Sequence, residues 1–185
     1  SALNPRGRVV PQATAVAGDG TVWMAALGGL YSSRDAGDTW LLTDISSTSG
    51  SLNMLFTGVS VQGDEVVAVA QLADGMLPAS YQGLLSGTVF WSGDAGETWA
   101  ERGEALGANA PMAVAHGDGG VCVASLDRGV GCSAGGGATW AALPGGPQDT
   151  VSLAPLPDGA WGVGTASRGV WAWDGAVWSQ AGAGA

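Results

Sequence analysis

Short apolar segments recur along the chain at regular intervals, each followed by residues that favour tight turns. The first segment of each unit covers residues 13–17, 57–61, 112–116 and 151–155, with the sequences ATAVA, TGVSV, MAVAH and VSLAP. An Asp–Gly or Gly–Asp corner follows each of them and leads into a second apolar run, and a third begins near Gly28, Gly87, Arg128 or Arg168. No segment keeps a helical periodicity over three turns. The pattern therefore predicts units of four short strands, a to d, joined by hairpin turns.

A polar motif between the third and fourth strands shows that these units are internal repeats. SRDAGDTW at residues 33–40 recurs as SGDAGETW at 92–99, as SAGGGATW at 133–140 and, shortened, as WDGAVW at 173–178. Four strands in roughly 40 residues are typical of β-propeller blades. The sequence thus predicts an all-β fold, a β-propeller of about four four-stranded antiparallel blades. Residues 1–185 form one such domain or a four-blade portion of a larger ring, with blades near residues 9–42, 51–101, 109–143 and 149–180.

Composition and charge narrow the choice of partners. The chain has 185 residues, 46% of them apolar, with 16 acidic residues, 6 Arg, no Lys and a formal net charge of −10. This balance argues against nucleic acid and anionic membrane surfaces as ligands, and no apolar run reaches the roughly 18 residues of a membrane span. The first eight residues lack the apolar core of a signal peptide, although such a leader is removed from mature secreted proteins. Seven acidic residues lie in the repeated turns, so the acidity follows largely from turn chemistry: Asp19, Asp35, Asp64, Asp94, Asp118, Asp158 and Asp174.

The motif S-x-D-x-G-x-T-W resembles the Asp-box, or BNR repeat, of sialidase-like β-propellers. Two copies match it fully, the third has Gly135 in place of Asp, and the fourth lacks one residue. The resemblance implies a structural role, in which Ser and Asp hold the c–d hairpin, Gly permits the turn, and Trp packs between blades. The matching residues are Ser33, Asp35, Gly37, Thr39 and Trp40; Ser92, Asp94, Gly96, Thr98 and Trp99; Ser133, Gly137, Thr139 and Trp140; and Asp174, Gly175 and Trp178.

The resemblance covers most of the chain and extends to photosystem II assembly factors, sortilin-type receptors, and sialidase-like and xyloglucanase-like glycosidases. By analogy, the b–c and d–a loops form the ligand face, opposite the c–d corners. Two of these loops are long, at residues 41–52 and 71–87, and long loops on a rigid scaffold favour binding, with tolerated surface insertions as the alternative. The candidate ligand-binding residues in them are Asp44, Ser47, Asp74, Tyr81 and Gln82.

Two arginines occupy equivalent b–c corners of the third and fourth units. Arg128 and Arg168 are expected on the same face, where they could clamp a carboxylate or another anion. The alternative is that each is an exposed arginine with a local acidic partner, such as Asp127 beside Arg128.

The sequence favours a non-catalytic binding or assembly module for a protein or glycan ligand over an enzyme. The Arg triad, the Tyr–Glu pair and the acid of sialidases have no identifiable counterparts, so no catalytic residue is assigned. A glycoside hydrolase stays an alternative because a pair among six carboxylates in predicted ligand-face loops could act on a glycosidic bond. They are Asp44, Asp74, Glu101, Glu104, Asp127 and Asp149. A lectin is the other alternative, although packing between blades explains the five remaining tryptophans, Trp23, Trp91, Trp161, Trp171 and Trp173.

One histidine and two cysteines are too few for a typical His/Cys metal site, so the sequence predicts no metal centre and no cofactor. His116 is expected to be structural. Cys122 and Cys132 lie opposite each other if the b–c hairpin is centred near Asp127, which places them within disulfide range. Two reduced thiols are the alternative; a disulfide favours an extracellular or periplasmic protein.

The sequence does not decide whether the four blades close into a ring. Each unit contains its own four strands, and no strand is left over to join the first blade to the last. An open array of blades would expose apolar faces. The expectation is then self-association or a partner chain that completes the propeller, and the alternative is a compact four-blade ring.

Overall fold

A computed structural model describes residues 9–45, 54–72, 87–102 and 110–181 of the chain. These ranges form sixteen β-strands in four antiparallel sheets, with one turn of 3₁₀-helix at Pro157–Gly159 and no α-helix. No helix in them is long and apolar enough to cross a membrane. Each sheet has four strands in chain order, so the predicted all-β fold with four propeller blades is confirmed.

The strands of the first two blades follow the predicted units. Blade 1 consists of β1 (Pro11–Val16), β2 (Val22–Ala26), β3 (Gly29–Ser33) and β4 (Leu41–Leu42). Blade 2 consists of β5 (Met54–Gln62), β6 (Glu65–Leu72), β7 (Gly87–Ser92) and β8 (Ala100–Glu101).

The strands of the last two blades repeat this arrangement. Blade 3 consists of β9 (Pro111–Gly117), β10 (Gly120–Ser125), β11 (Gly129–Ser133) and β12 (Ala141–Ala142). Blade 4 consists of β13 (Thr150–Pro155), β14 (Trp161–Thr165), β15 (Val170–Trp173) and β16 (Trp178–Gln180).

Consecutive blades pack face to face, and alternation along the strands gives each blade two faces. We call the side towards the next blade the forward face and the opposite side the rear face. On the forward face of blade 1, Trp23 meets the ring of Trp99 from the rear face of blade 2 edge-on, with centroids 5.8 Å apart. The core between them also contains Leu30, Phe56 and Phe90, all at most 2% exposed.

The interface between blades 2 and 3 has the same layout. Valines line both sides, with Val67 and Val89 from blade 2 and Val121 from blade 3 almost completely buried. At its edge the Arg102 guanidinium lies 5.1 Å from the centre of the Trp91 ring, a distance at which cation–π attraction operates. The indole N–H of Trp140 donates to the Arg102 carbonyl oxygen at 3.2 Å.

The interface between blades 3 and 4 replaces a forward-facing tryptophan with a disulfide. The b–c hairpin of blade 3 is centred on Asp127, so Cys122 and Cys132 are directly paired across β10 and β11, with Cα atoms 4.1 Å apart, and a disulfide joins them. In the ladder they occupy the positions that Trp23 and Trp91 hold in the first two blades. They pack with large side chains from the rear face of blade 4, namely Trp161, Trp173 and Trp178.

Buried threonines connect consecutive blades by hydrogen bonds. The Thr57 hydroxyl of blade 2 donates to the Pro111 carbonyl of blade 3 at 2.8 Å. Thr150 of blade 4 is fully buried, and its Oγ1 accepts from the Ser125 N–H at 2.9 Å and lies 2.8 Å from the Ser125 carbonyl. These bonds tie the first strands of blades 3 and 4 to the preceding blade.

Candidate functional site

The repeated polar motif is a turn whose side chains satisfy one another. In the first copy the Ser33 hydroxyl donates to Asp35 Oδ1 at 2.8 Å and accepts from the Gly37 N–H at 2.8 Å. The two oxygens of Asp35 accept from the Thr39 N–H at 2.8 Å and from the Thr39 hydroxyl at 2.5 Å. The carboxylate thus accepts three hydrogen bonds from residues within four positions of its own.

The second copy repeats this geometry almost bond for bond, with Asp94 accepting from Ser92 and from both groups of Thr98. Hydrogen bonds from the threonine hydroxyl, the threonine N–H and the serine lower the pKa of Asp35 and of Asp94 to about 2. Both groups are therefore ionised at neutral pH. They hold the c–d hairpin together.

The two degenerate copies keep the turn by other means. In the third copy Ser133 still accepts from the Gly137 N–H at 3.0 Å, although Gly135 stands where the aspartate would be. In the fourth, Asp174 Oδ1 accepts from the N–H groups of Ala176 at 2.9 Å and Val177 at 2.8 Å. All four copies thus hold the c–d turn by side-chain hydrogen bonds, and two of them do so without the full set of motif residues.

The b–c corners of blades 3 and 4 lie at the opposite end of the strands and flank one short connecting segment, residues 147–150. On one side the Gly129 N–H donates to the Gln148 carbonyl at 3.2 Å. On the other, the Ser167 N–H donates to Asp149 Oδ2 at 3.0 Å, and the Ala166 N–H donates to the Asp149 carbonyl at 2.9 Å. The structure therefore places Arg128 and Arg168 on two corners that border the same segment.

These two arginines differ in how firmly they are held. Arg168 Nη2 lies 2.9 Å from Asp149 Oδ1, whereas Arg128 Nε is 3.9 Å from Asp127 Oδ2. Their side chains are 50% and 64% exposed, respectively. A hydrogen bond from the Ser167 hydroxyl, aided by the Arg168 charge, lowers the pKa of Asp149. Arg168 is thus positioned by a carboxylate, and most of the Arg128 guanidinium faces solvent.

A pocket of about 180 Å³ opens beside Arg128. Small residues of blade 3 leave its floor open, because Gly129, Gly131 and Ala142 have little or no side chain there. Trp140 supplies apolar surface, whereas Val130 and Ser125 are almost completely buried, and the Ser125 hydroxyl is hydrogen-bonded to Ala110 and Asp127. The site thus combines an exposed cation with a small cavity whose lining is mainly polar.

The remaining predicted ligand residues are not brought to this site by the described part of the structure. Asp44 is exposed just after β4. Four others, Ser47, Asp74, Tyr81 and Gln82, lie outside the described residues.

Asp127, Glu101 and Asp149, three of the carboxylates considered for catalysis, make local hydrogen bonds. Asp127 Oδ1 accepts from the Ser125 hydroxyl and from the Ala110 N–H at 3.3 Å. Glu101 accepts from the Thr88 hydroxyl at 2.8 Å. Asp74 and Glu104 lie outside the described residues. Within the described ranges, no three His, Cys, Asp or Glu side chains are grouped so that they could hold a metal ion.

A polar cluster between blades 2 and 3 was not predicted from the sequence. The His116 side chain is 5% exposed, and its Nδ1 lies 2.8 Å from the Ser60 hydroxyl, which also accepts from the His116 N–H at 3.1 Å. Its Nε2 lies 3.5 Å from Glu65 Oε1. Burial lowers the pKa of His116, and the Glu65 charge opposes that shift in part. Nothing in the alternating pattern of β5 identified Ser60 as the hydrogen-bond partner of His116.

Comparison with known proteins yields structural neighbours only. No protein-family model matches the chain, and no curated protein matches it. The structure of YCF48 bound to D1 peptide is 18% identical, with a TM-score of 0.70 over 97% of this chain and 56% of that one. YCF48 from Cyanidioschyzon merolae is 18% identical, with a TM-score of 0.66 over 97% of this chain and 58% of that one.

An enzyme is also among the neighbours. The GH74 xyloglucanase from Xanthomonas campestris is 17% identical, with a TM-score of 0.62 over 91% of this chain and 30% of the enzyme. This chain spans a little over half the length of the two YCF48 chains. At such identities the likeness shows the fold alone, and that fold is a β-propeller.

Proposed function

We propose that this chain is a binding module of the Asp-box propeller type, and that it binds an extended peptide segment through the C-terminal carboxylate of that peptide. The ligand surface is formed by the b–c corners of blades 3 and 4. Arg128 is the primary contact, Arg168 is the second, and the adjacent pocket takes a small side chain of the ligand.

The observation that carries this proposal is the exposed Arg128 guanidinium beside a cavity floored by small residues. A guanidinium binds a carboxylate through two parallel hydrogen bonds, and its 3.9 Å pair with Asp127 is too long to satisfy those donors. Arg168 is already oriented by Asp149, so it can add a second cation at little further cost in side-chain entropy.

The neighbours support a protein ligand in general terms. One of the YCF48 structures contains a D1 peptide, which shows that a propeller of similar fold can hold a peptide. The motif copies support the Asp-box assignment, because their side-chain hydrogen bonds serve the turn.

The test is binding of a library of random-sequence peptides, each made with a free C-terminal carboxylate and with an amidated C-terminus, measured by fluorescence polarisation. We expect the free-acid pool to bind about tenfold to a hundredfold more tightly, the range of a charged hydrogen-bonded pair. R128A should remove this preference. The matched control is R34A, because Arg34 is exposed at the c–d corner of blade 1 at the other end of the strands. Equal affinity of both pools, or equal losses in R128A and R34A, would refute the proposal.

Glycoside hydrolysis is the competing proposal, since a GH74 xyloglucanase is among the neighbours. It requires one carboxylic acid held protonated by a raised pKa, and Asp149 shows the opposite shift. Release of a chromophore from aryl glycosides or sialosides, abolished by D149N or E101Q, would favour the enzyme.

We also propose that the protein works outside the cytosol, in the extracellular space or the periplasm. The support is the Cys122–Cys132 disulfide, because such bonds persist in oxidising compartments. Cell fractionation with thiol labelling tests this, and a fully reduced cytosolic pool would contradict it.

A further inference from the structure

The Cys122–Cys132 disulfide lines a pocket between blades 3 and 4. The pocket has a volume of about 200 Å³ and lies between the a–b corners of these two blades. Cys122 is only 3% exposed, whereas Cys132 is partly exposed. The disulfide is therefore reachable from solvent in the folded chain, and Cys132 is the more accessible of its two cysteines.

The pocket has largely apolar walls and an open mouth. Beside the disulfide, Trp161, Leu143 and Pro155 contribute to its lining. At the mouth, Gly119 is exposed, and a Cβ at this position would meet no atom within 4 Å. The volume is several times the roughly 30 Å³ that one water occupies in the liquid. A molecule of a few non-hydrogen atoms therefore has room to enter.

The charge around the pocket is negative. Asp118, exposed on the a–b corner of blade 3, is the one charged residue among the described residues that line it. The chain as a whole has a formal net charge of −10. Fields of one sign repel ions of the same sign and concentrate those of the opposite sign. The pocket therefore favours a small molecule that is neutral or positively charged.

We propose that the disulfide is a site of thiol–disulfide exchange with a small neutral or cationic thiol, and that the incoming thiol becomes attached to Cys132. The incoming thiolate bonds to Cys132 Sγ, the bond between the two cysteine sulfurs breaks, and its electron pair leaves with Cys122 Sγ. Cys122 then takes up a proton from water, because it lies among apolar side chains that disfavour a charge. One disulfide is exchanged for another, so no separate oxidant or reductant is needed.

A disulfide that is sealed between two blades would behave differently. It would be reduced only after the structure opens, so its rate of reduction would rise steeply with urea. A disulfide that is reached through the pocket reacts in the folded protein, and low concentrations of urea change its rate little. The urea dependence therefore separates the two cases.

The first experiment follows reduction of the wild-type chain by β-mercaptoethanol, with alkylation and mass spectrometry to count free thiols. We expect a rate proportional to the thiol concentration and nearly constant in urea below the unfolding transition. G119F places a ring at the pocket mouth and should slow reduction about tenfold or more, because access limits exchange.

The matched control is G18F at the a–b corner of blade 1. Neither Gly18 nor Gly119 has a left-handed backbone, and a Cβ at Gly18 also meets no atom within 4 Å. G18F should therefore be reduced at the wild-type rate. Equal rates in G119F and G18F, or a steep rise of the wild-type rate with urea, would overturn the proposal.

The second experiment identifies the sulfur that reacts. C122S and C132S each leave one thiol, and aminoethyl methanethiosulfonate adds a small cationic group to it. In the folded state, Cys132 in C122S should react about tenfold faster than Cys122 in C132S, and concentrated urea should make the two rates equal. Circular dichroism checks that both variants are folded; if either is not, the wild-type experiment decides. Equal rates in the folded state would show that exchange does not select Cys132.

The charge preference is tested on the same C122S variant. Sulfonatoethyl methanethiosulfonate has the same leaving group and the opposite charge, so it should react several-fold more slowly than the aminoethyl reagent. D118N should reduce this difference. Equal rates for the two reagents in the folded state would contradict the proposed preference for neutral or cationic thiols.

Discussion

Two equivalent glycines of the repeated motif test whether the packing between blades 1 and 2 requires a glycine in the second copy. Gly37 and Gly96 both have a left-handed backbone, with φ of +98° and +86°. A Cβ at position 37 would lie no closer than 3.7 Å to any neighbour, whereas at position 96 it would lie 2.2 Å from the Trp23 ring. G37A thus reports backbone strain, and G96A reports strain plus a collision between blades.

The strain of alanine in this region is about 1–2 kcal/mol, offset by about 0.5–1 kcal/mol because alanine restricts the unfolded chain. Overpacking adds about 1–3 kcal/mol at position 96. Trp23 is only 4% exposed and packs edge-on against Trp99, so its ring cannot swing aside. We therefore expect G96A to lower the free energy of unfolding by about 1–3 kcal/mol more than G37A.

Urea unfolding followed by tryptophan fluorescence measures both values. A double-mutant cycle then isolates the contact, because W23L removes the ring that the new methyl group meets. In the W23L background the two alanine variants should cost nearly the same. Equal costs in the wild-type background would refute the inference that Gly96 is required by the neighbouring blade.

Individual contacts lead to three further predictions. A36G should raise the free energy of unfolding by up to about 1 kcal/mol in the same urea assay, because Ala36 has φ of +57° and the third copy has Gly136 at the same angle. The unfolding free energy should fall as pH drops below about 6.5, since burial lowers the pKa of His116 in the folded protein and favours its neutral form; H116N should flatten this limb of the pH–stability curve. Replacing both Cys122 and Cys132 with alanine should cost about 2–3 kcal/mol, the loop-closure value for their 10-residue separation, and should make the urea midpoint insensitive to reducing agent.

Features that depend on residues close together in the chain could be predicted from the sequence, whereas contacts between blades could not. The Cys122–Cys132 register follows from a hairpin centred on Asp127, because two strands joined by a short turn can pair in few ways. By contrast, the bond between Ser60 and His116 joins residues 56 positions apart, and the one between Thr57 and Pro111 spans 54. No local pattern encodes which serine or threonine will face the next blade, since that depends on how two sheets stack.

The same distinction explains why the repeated motif indicates fold more than function. Asp35 and Asp94 use their acceptor sites for hydrogen bonds inside their own turns. The third copy lacks the aspartate, yet Gly136 and Gly137 adopt the left-handed angles that Ala36 and Gly37 adopt in the first. The turn thus tolerates the loss of its most recognisable residue when glycine makes the backbone easier to bend. The motif therefore identifies the fold without locating a ligand, and at the other end of the strands the sequence offers two long loops and two arginines at equivalent corners.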